Sequence, residues 1–574
     1  MSTGSNAHGR TAEGARLDPA QRVRALERMA RETFDVVVVG GGVTGCGTAL
    51  DAASRGLSVA LVEMRDYAAG TSSRSGKLIH GGLRYLEQGK FGLVRQALTE
   101  RALMLERLCP HLVRPVRFIY PLRHRAWERA YVGAGLMLYD GIGGAGAVPR
   151  HRHLGRRAAQ RLAPDLGGGG LAGAVTFSDA QVDDARHTVT LARTAAAYGA
   201  VVASGAKVVD FLTEGERISG VLVRDSDTGH ELPVRAHQVI SATGVWNDTL
   251  SARAGATGGL RVSASKGVHV LVPRERIRSE AAILLRAEDS VLFVRPWGRH
   301  WLIGTTDTPW QQDLDHPAAT GADVDYLLRN VNRAIRPRLT RDDVVGAFAG
   351  LRPLLTADAG STSAWSREHA VTCPREGLTV VAGGKYTTYR VMAADAVDAA
   401  LRNVAGTVPE SCSAEVPLLG ADGYQAVWNC RHRLFERSGL PVDQIERLIG
   451  RYGSLVEELL DQLAEHPEWG EPIPGAEDYL MVEAAYAATH EGAQHLDDVL
   501  CRRLHIGTET ADRGVRAARH VAPVIAPVLG WDAGTTSHEI ERYARRSEAE
   551  RQAQLADTDE AANAVRLSAR DPRL

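Results

Sequence analysis

The chain of 574 residues carries 68 basic against 69 acidic residues, with 44% hydrophobic and 24% charged positions. At about 100–200 residues per domain that length allows two to four domains, and the composition is that of an ordinary soluble globular protein. The balanced charge argues against a nucleic-acid binder, which carries a basic excess. Six scattered cysteines without a CxxC pair argue against a zinc site and against a disulfide-stapled secreted fold.

Residues 1–33 hold no apolar core of a signal peptide. No run of about 18 apolar residues occurs anywhere, so no membrane-spanning helix is expected. The expected location is cytoplasmic, with contact at the inner face of a membrane left open. Four segments are expected: an N-terminal extension over 1–33, an oxidoreductase-like region over 34–406, a helical region over 407–549 and a charged tail over 550–574.

The first strand begins at Phe34, and Val36 to Val39 form the β-branched run of a strand buried on both faces. Gly40-Gly41-Gly42-Val43-Thr44-Gly45 matches GxGxxG, Thr44 to Arg55 reads as an alanine-rich helix, and Ser58 to Val62 is a second strand closing on Glu63. Glycines permit the tight turn and close approach to a pyrophosphate, which then sits on the positive end of the helix. Glu63, at the tip of the second strand, can accept hydrogen bonds from a ribose. The glycines alone are weak evidence, but with strand, helix and an acid about 20 residues on they predict a dinucleotide site. FAD and NAD both fit this motif.

Next comes "TSSRSGKLIHGGLRYLEQG", which brings Lys77, His80, Arg84 and Tyr85 around Gly81-Gly82. These are residue types that bind anions or move protons. From Leu83 a helical periodicity is expected to run to Leu108. "LRHRAWERAYVGAGLMLYDGIGG" mixes Arg123, Arg125 and Arg129 with Trp127, Tyr131, Leu136, Met137, Leu138 and Tyr139, which suits either a helix lying on a membrane surface or one buried between domains. Ala172 to Phe211 reads as strand, helix, strand, with Asp183-Asp184 expected to cap the helix. Ile218–Val223 and Gln238–Ala242 continue the first sheet, and the latter runs into Ala242-Thr243-Gly244. Lys266–Val272 and Val291–Gly304 are strand-rich. Leu378 to Ala400 repeats the strand–glycine–helix pattern at Gly383-Gly384, with Lys385, Thr387 and Thr388 at the helix start.

Two such junctions far apart in sequence predict a cofactor domain assembled from both ends of the region, with an inserted domain between them. "VVGGGVTGCG", "TSSRSGKLIHGGLRYLE", "FSDAQVDDAR", "SATGVWND", "IGTTD", "GLRPL" and "GGKYTTYR" occur in one order. With them the chain resembles the FAD-dependent glycerol-3-phosphate dehydrogenase family, within the D-amino-acid-oxidase-like flavoproteins. The resemblance covers roughly Phe34 to Ala400, and more weakly the helical region.

It implies an α/β fold: a Rossmann-like FAD-binding domain, an inserted antiparallel α+β substrate domain and a helical C-terminal domain. It implies FAD, and a cofactor site formed by Gly40, Gly42, Gly45, Glu63, Thr71, Ser72, Ser75, His80, Gly81, Gly82, Gly244, Gly384, Lys385, Thr387 and Thr388. The implied substrate, sn-glycerol 3-phosphate, needs fixed positive charge for its phosphate, and Arg84, Arg352 and Lys385 are the candidates, with Tyr85 as a hydroxyl donor. Its oxidation to dihydroxyacetone phosphate moves a hydride from C2 to flavin N5 and requires a base. His80 is the leading candidate, the alternative being that it only hydrogen-bonds the flavin or its own backbone. Arg352 or Lys385 could stabilise the reduced flavin, and Asp307 of "IGTTD" is expected to position rather than to react.

A membrane quinone is the expected acceptor and a homodimer the expected assembly. An oxidase of the same fold that uses oxygen remains an alternative, as does a flavin binder without turnover. After residue 407, Tyr424 to Ala549 reads as almost entirely helical. His490, Glu491, His495, Asp497 and Asp498 are expected to form a solvated face, not a metal site, and the last residues a frayed or disordered tail.

Overall fold

The computed structural model describes residues 15–574 except 125, 144–146, 168–169, 256–259, 288–290, 337, 356–367 and 403–408, and describes residue 84 by its backbone only. The cofactor sheet orders five parallel strands as Leu378–Gly383, Glu231–Ser241, Thr33–Val39, Val59–Val62 and Val201–Ala203. His369–Arg375 adds an antiparallel edge, and Ala206–Glu214 with Arg217–Asp225 extends the Glu231–Ser241 strand as a ribbon. The valine run explains why Thr33–Val39 is central. Val36 and Val38 pack with Cys46, Leu50 and Ala53 of the following helix, while Val37 and Val39 pack on the other face with Met29 and Val221. Each fully buried valine contributes about 1.5–3 kcal/mol.

A second sheet of ten strands is mostly antiparallel and holds Val262–Pro273 toward one edge, between His300–Gly304 on one side and Gly346–Leu355 with Thr308–Pro309 on the other. Strand alternation divides its residues. Val268, Val270 and Val272 pack with Leu327 and Val331 of the helix Gly321–Asn332, which leaves Gly267 and His269 on the face toward the cofactor sheet. The predicted strand–helix–strand of 172–211 spans both sheets. Gly173–Val182 belongs to the second, and the helix Asp184–Ala197 leads to Val201–Ala203 in the first.

Three sequence expectations change. The helix foreseen from Leu83 to Leu108 is broken into Leu83–Glu87 and Phe91–Leu103, followed by a wide helical turn over Met104–Leu108. Gly89, at φ +69°, makes the break. In the foreseen solvated face at 490–498 the acids Glu491, Asp497 and Asp498 are buried, because arginines neutralise them, while His490 and His495 are half-buried. Glu491 pairs with Arg186 at 2.8 Å, and Asp497 with Arg502 at 2.7 Å. The final segment is ordered: Asp559–Leu567 is a helix, and Asp571 and Arg573 are buried.

Between them, the helices of the C-terminal region carry one small hairpin, Pro472–Ile473 with Ala476–Leu480. This region docks on the cofactor sheet through Asp66, which accepts from Arg502 at 2.5 Å and Arg503 at 2.8 Å.

Candidate active site

Between the two sheets lies a cavity of about 1200 Å³. At one end the chain folds by the glycine logic of the sequence. Gly40 has φ +108°, and a Cβ there would stand 2.8 Å from the Ala242 carbonyl oxygen. A Cβ on Gly45 would lie 1.8 Å from the Gly40 carbonyl oxygen, so that glycine serves helix–strand packing and does not line the cavity. The helix Val43–Ser54 points its N-terminus into the cavity with no side-chain cap of its own. Its first N–H, on Val43, donates to Ser72 Oγ at 2.9 Å. Glu63 lines this end and accepts from the Gly41 N–H at 2.6 Å and the Arg65 N–H at 2.9 Å. Burial raises its carboxyl above the ordinary value, and those two N–H groups oppose the rise.

The segment after the second strand runs along the cavity and is anchored from below. Thr71 Oγ1 donates to the Leu351 carbonyl at 2.5 Å, and Ser75 Oγ donates to Asp184 at 2.6 Å. Asp184 also binds the Lys77 ammonium, which is 3% exposed. Lys77 is therefore a structural ion pair and not one of the anion-binding groups that its company in the sequence suggested. Asp183 caps the helix as expected, accepting from the Arg186 N–H at 3.1 Å, and it also pairs with His505 at 2.8 Å.

His80 reaches the other end of the cavity. Its backbone N–H faces Thr387 Oγ1 at 3.3 Å, and its ring meets Phe293 edge-on at 6.2 Å between centroids. Gly82 lines the cavity at φ +78°, whereas Gly81 turns away from it, donating its N–H to the Tyr139 hydroxyl at 2.8 Å. Tyr139 in turn donates to Asp179, which pairs with Arg101. The His-Gly-Gly turn is thus held from behind by Tyr139 and by an acid of the "FSDAQ" motif.

Arg352 and Lys385 also line this end. Arg352 donates to Thr305 Oγ1 at 2.9 Å and the Thr306 carbonyl at 3.0 Å, and pairs with Asp307 at 3.2 Å. Asp307 positions the guanidinium. Lys385 Nζ lies 3.5 Å from the centroid of the Tyr85 ring, a cation–π contact; Tyr85 engages it by its ring face. Thr387 lines the cavity, Gly384 and Gly244 line it at φ +81° and +58°, and Thr388 does not. The side chain of Arg84 lies outside the described residues.

Sequence reasoning missed two side chains. His269 lines the cavity, stacks on Phe348 at 5.1 Å, and fills the space a Gly304 Cβ would need, its ring 2.1 Å from that position. Burial, then Arg295 and Arg352, hold its imidazole well below the ordinary histidine value. Arg295 is 1% exposed and borders the same cavity, and burial lowers its guanidinium to about 9. Strand alternation alone marks both: Gly267 and His269 share one face, as do Phe293 and Arg295.

The cavity runs from the buried Glu63, past the N-terminus of the helix Val43–Ser54, to an end lined by His80, Arg352 and Lys385. Residues 35–390 match the family described as "FAD dependent oxidoreductase", and residues 411–536 match the "C-terminal domain of alpha-glycerophosphate oxidase". The chain belongs to this family of FAD-dependent oxidoreductases. It is 54% identical over 559 residues to glycerol-3-phosphate dehydrogenase 2 of Mycobacterium tuberculosis, covering 97% of this chain and 96% of that protein. It is 34% identical to the mitochondrial glycerol-3-phosphate dehydrogenase of Bos taurus, covering 92% of this chain and 75% of the relative. The structure of the Bacillus halodurans glycerol-3-phosphate dehydrogenase complexed with FAD superposes with a TM-score of 0.74 at 29% identity, over 93% of this chain and 97% of that one. The fold expected from the sequence and the FAD cofactor stand. The cavity fits FAD on its own terms, because Gly40 and Gly42 leave room where a Cβ would meet Ala242 or Ser72.

Proposed function

We propose that the protein oxidises sn-glycerol 3-phosphate to dihydroxyacetone phosphate and passes the electrons to a membrane quinone. The observation that carries the substrate is the meeting of Arg352, from a strand of the second sheet, and Lys385, beyond a strand of the first, with His80 in one cavity. Arg352, its orientation set by Asp307 and Thr305, offers a fork to the phosphate, and Lys385 a compact charge. When bound, FAD supplies the acceptor for the hydride leaving C2, at N5. His80 takes the proton of the C2 hydroxyl, its backbone held by Thr387 and the glycine turn behind it. The Lys385 charge, near the same end, favours the reduced flavin electrostatically.

The acceptor reading rests on the cavity mouth. Trp127, Tyr131 and Leu138 line the mouth and belong to the helix Trp127–Ile142, with Met137 beside them. Trp127 and Met137 are each 62% exposed and Tyr131 58%. An aromatic and aliphatic surface at the entrance to the reaction chamber suits an interfacial helix that admits a quinone from a lipid layer. Among the described residues no helix is long and apolar enough to cross a membrane. The same-fold oxidase is the second reading, and the exposed mouth disfavours it.

Anaerobic addition of sn-glycerol 3-phosphate to the yellow holoprotein should bleach the oxidised flavin band, and a quinone should restore it faster than air. Without bleaching the substrate reading fails; re-oxidation fastest in air selects the oxidase.

A further inference from the structure

The cofactor cavity has a wall that no motif announces. Glu63 marks its ribose end, and there the lining includes Arg65, Lys207, Val208, Arg253 and Leu574. Lys207 and Leu574 lie 367 positions apart, yet Lys207 Nζ donates to the Leu574 main-chain oxygen at 2.5 Å.

The residues that deliver Leu574 are fixed by a buried ionic network. Arg573 donates to Asp498 at 3.0 Å and to Asp571 at 2.9 Å, and the Asp571 N–H donates to His316 at 3.3 Å. Asp498 also pairs with Arg502, which pairs with Asp66, three residues beyond Glu63. Neighbouring arginines hold the carboxyls of Asp498 and Asp571 well below the usual range. Buried charges of this kind persist only when each is paired, so the network pins 571–574 to the strand tip that carries Glu63. Arg65, 4% exposed, completes the wall between them and lies 5.5 Å from the Trp246 ring centroid.

We infer that residues 571–574 and Lys207 form part of the cofactor site, closing the cavity over the adenosine half of FAD. A wall of this kind acts mainly on dissociation, because the bound dinucleotide leaves only after the wall opens. The C-terminal segment thereby takes a role in holding the flavin without touching its reactive ring.

The test measures FAD release from holoprotein without substrate, by recovery of flavin fluorescence after dilution. A protein ending at Arg570 and the Lys207→Met variant should both shorten FAD residence, the truncation by about tenfold or more and Lys207→Met by less. Unchanged residence in both overturns the inference. If the truncated protein fails to give the far-UV circular dichroism of the parent, Lys207→Met decides alone, and unchanged residence there overturns it. A rise in KM for sn-glycerol 3-phosphate with unchanged FAD residence also overturns it. Because no substrate enters the primary measurement, its outcome is independent of the substrate reading.

Discussion

The two ends of the cavity are built on opposite principles. The ribose end is local at its base: Gly40, Gly42, Ser72 and Glu63 lie within 33 positions, and each is tied to its neighbours by backbone geometry. The other end joins different sheets: His80 lies far upstream of both cations, Arg352 sits on a strand of the second sheet and Lys385 follows a strand of the first, and they are held by Thr387, Asp307 and Tyr85. The base of the first end forms within one motif; the cationic end exists only where both sheets face each other.

The largest expected effect breaks that comparison if it is wrong. His80→Ala should lower kcat about 10²–10⁴-fold, the range for a lost general base, while purified flavin content stays near that of the parent. Loss of flavin instead would move His80 to the binding side and dissolve the separation of the two ends. A smaller effect is expected at the phosphate. Arg352→Met removes charge-assisted hydrogen bonds worth about 1.5–3 kcal/mol, so KM for sn-glycerol 3-phosphate should rise roughly 10- to 150-fold. An unchanged KM would take Arg352 out of phosphate recognition.

The smallest effect concerns protons. His187 is buried with its Nδ1 against the Tyr386 hydroxyl at 2.9 Å, and burial lowers it from the usual 6.5 to about 3. The unfolded chain therefore binds a proton below pH 6.5 that the folded chain refuses, and stability falls as pH falls from 6.5 towards 3. By pH 5 this one group costs about 2 kcal/mol. Thermal unfolding of parent and His187→Gln between pH 8 and 5 should show a shallower acid slope in the variant. Parallel slopes would refute the assignment.

Most of the ribose end was legible because periodicity and glycine spacing are properties of neighbours in sequence. The valine run and the fingerprint predict strand, turn and helix where Thr33–Val39 and Val43–Ser54 stand. At the reactive end the motifs named His80, Arg352 and Lys385, but not what orients them. Lys77 looked like an anion binder until Asp184 claimed it, and Asp497 and Asp498 looked solvated until Arg546 and Arg573 covered them. A charged residue's partner is chosen across the fold, and no local pattern encodes it.

The sequence by itself determined a dinucleotide-binding α/β domain, its family, its flavin and the short set of reactive candidates. These follow from local steric rules and from motifs that survive reading in one dimension. Only the tertiary structure decided that Gly45, Gly81 and Thr388 stand off the cavity, that His269 and Arg295 border it, and that Leu574 meets Lys207 at its ribose end. Most of these depend on which surfaces meet across the fold, fixed there by burial and charge pairing.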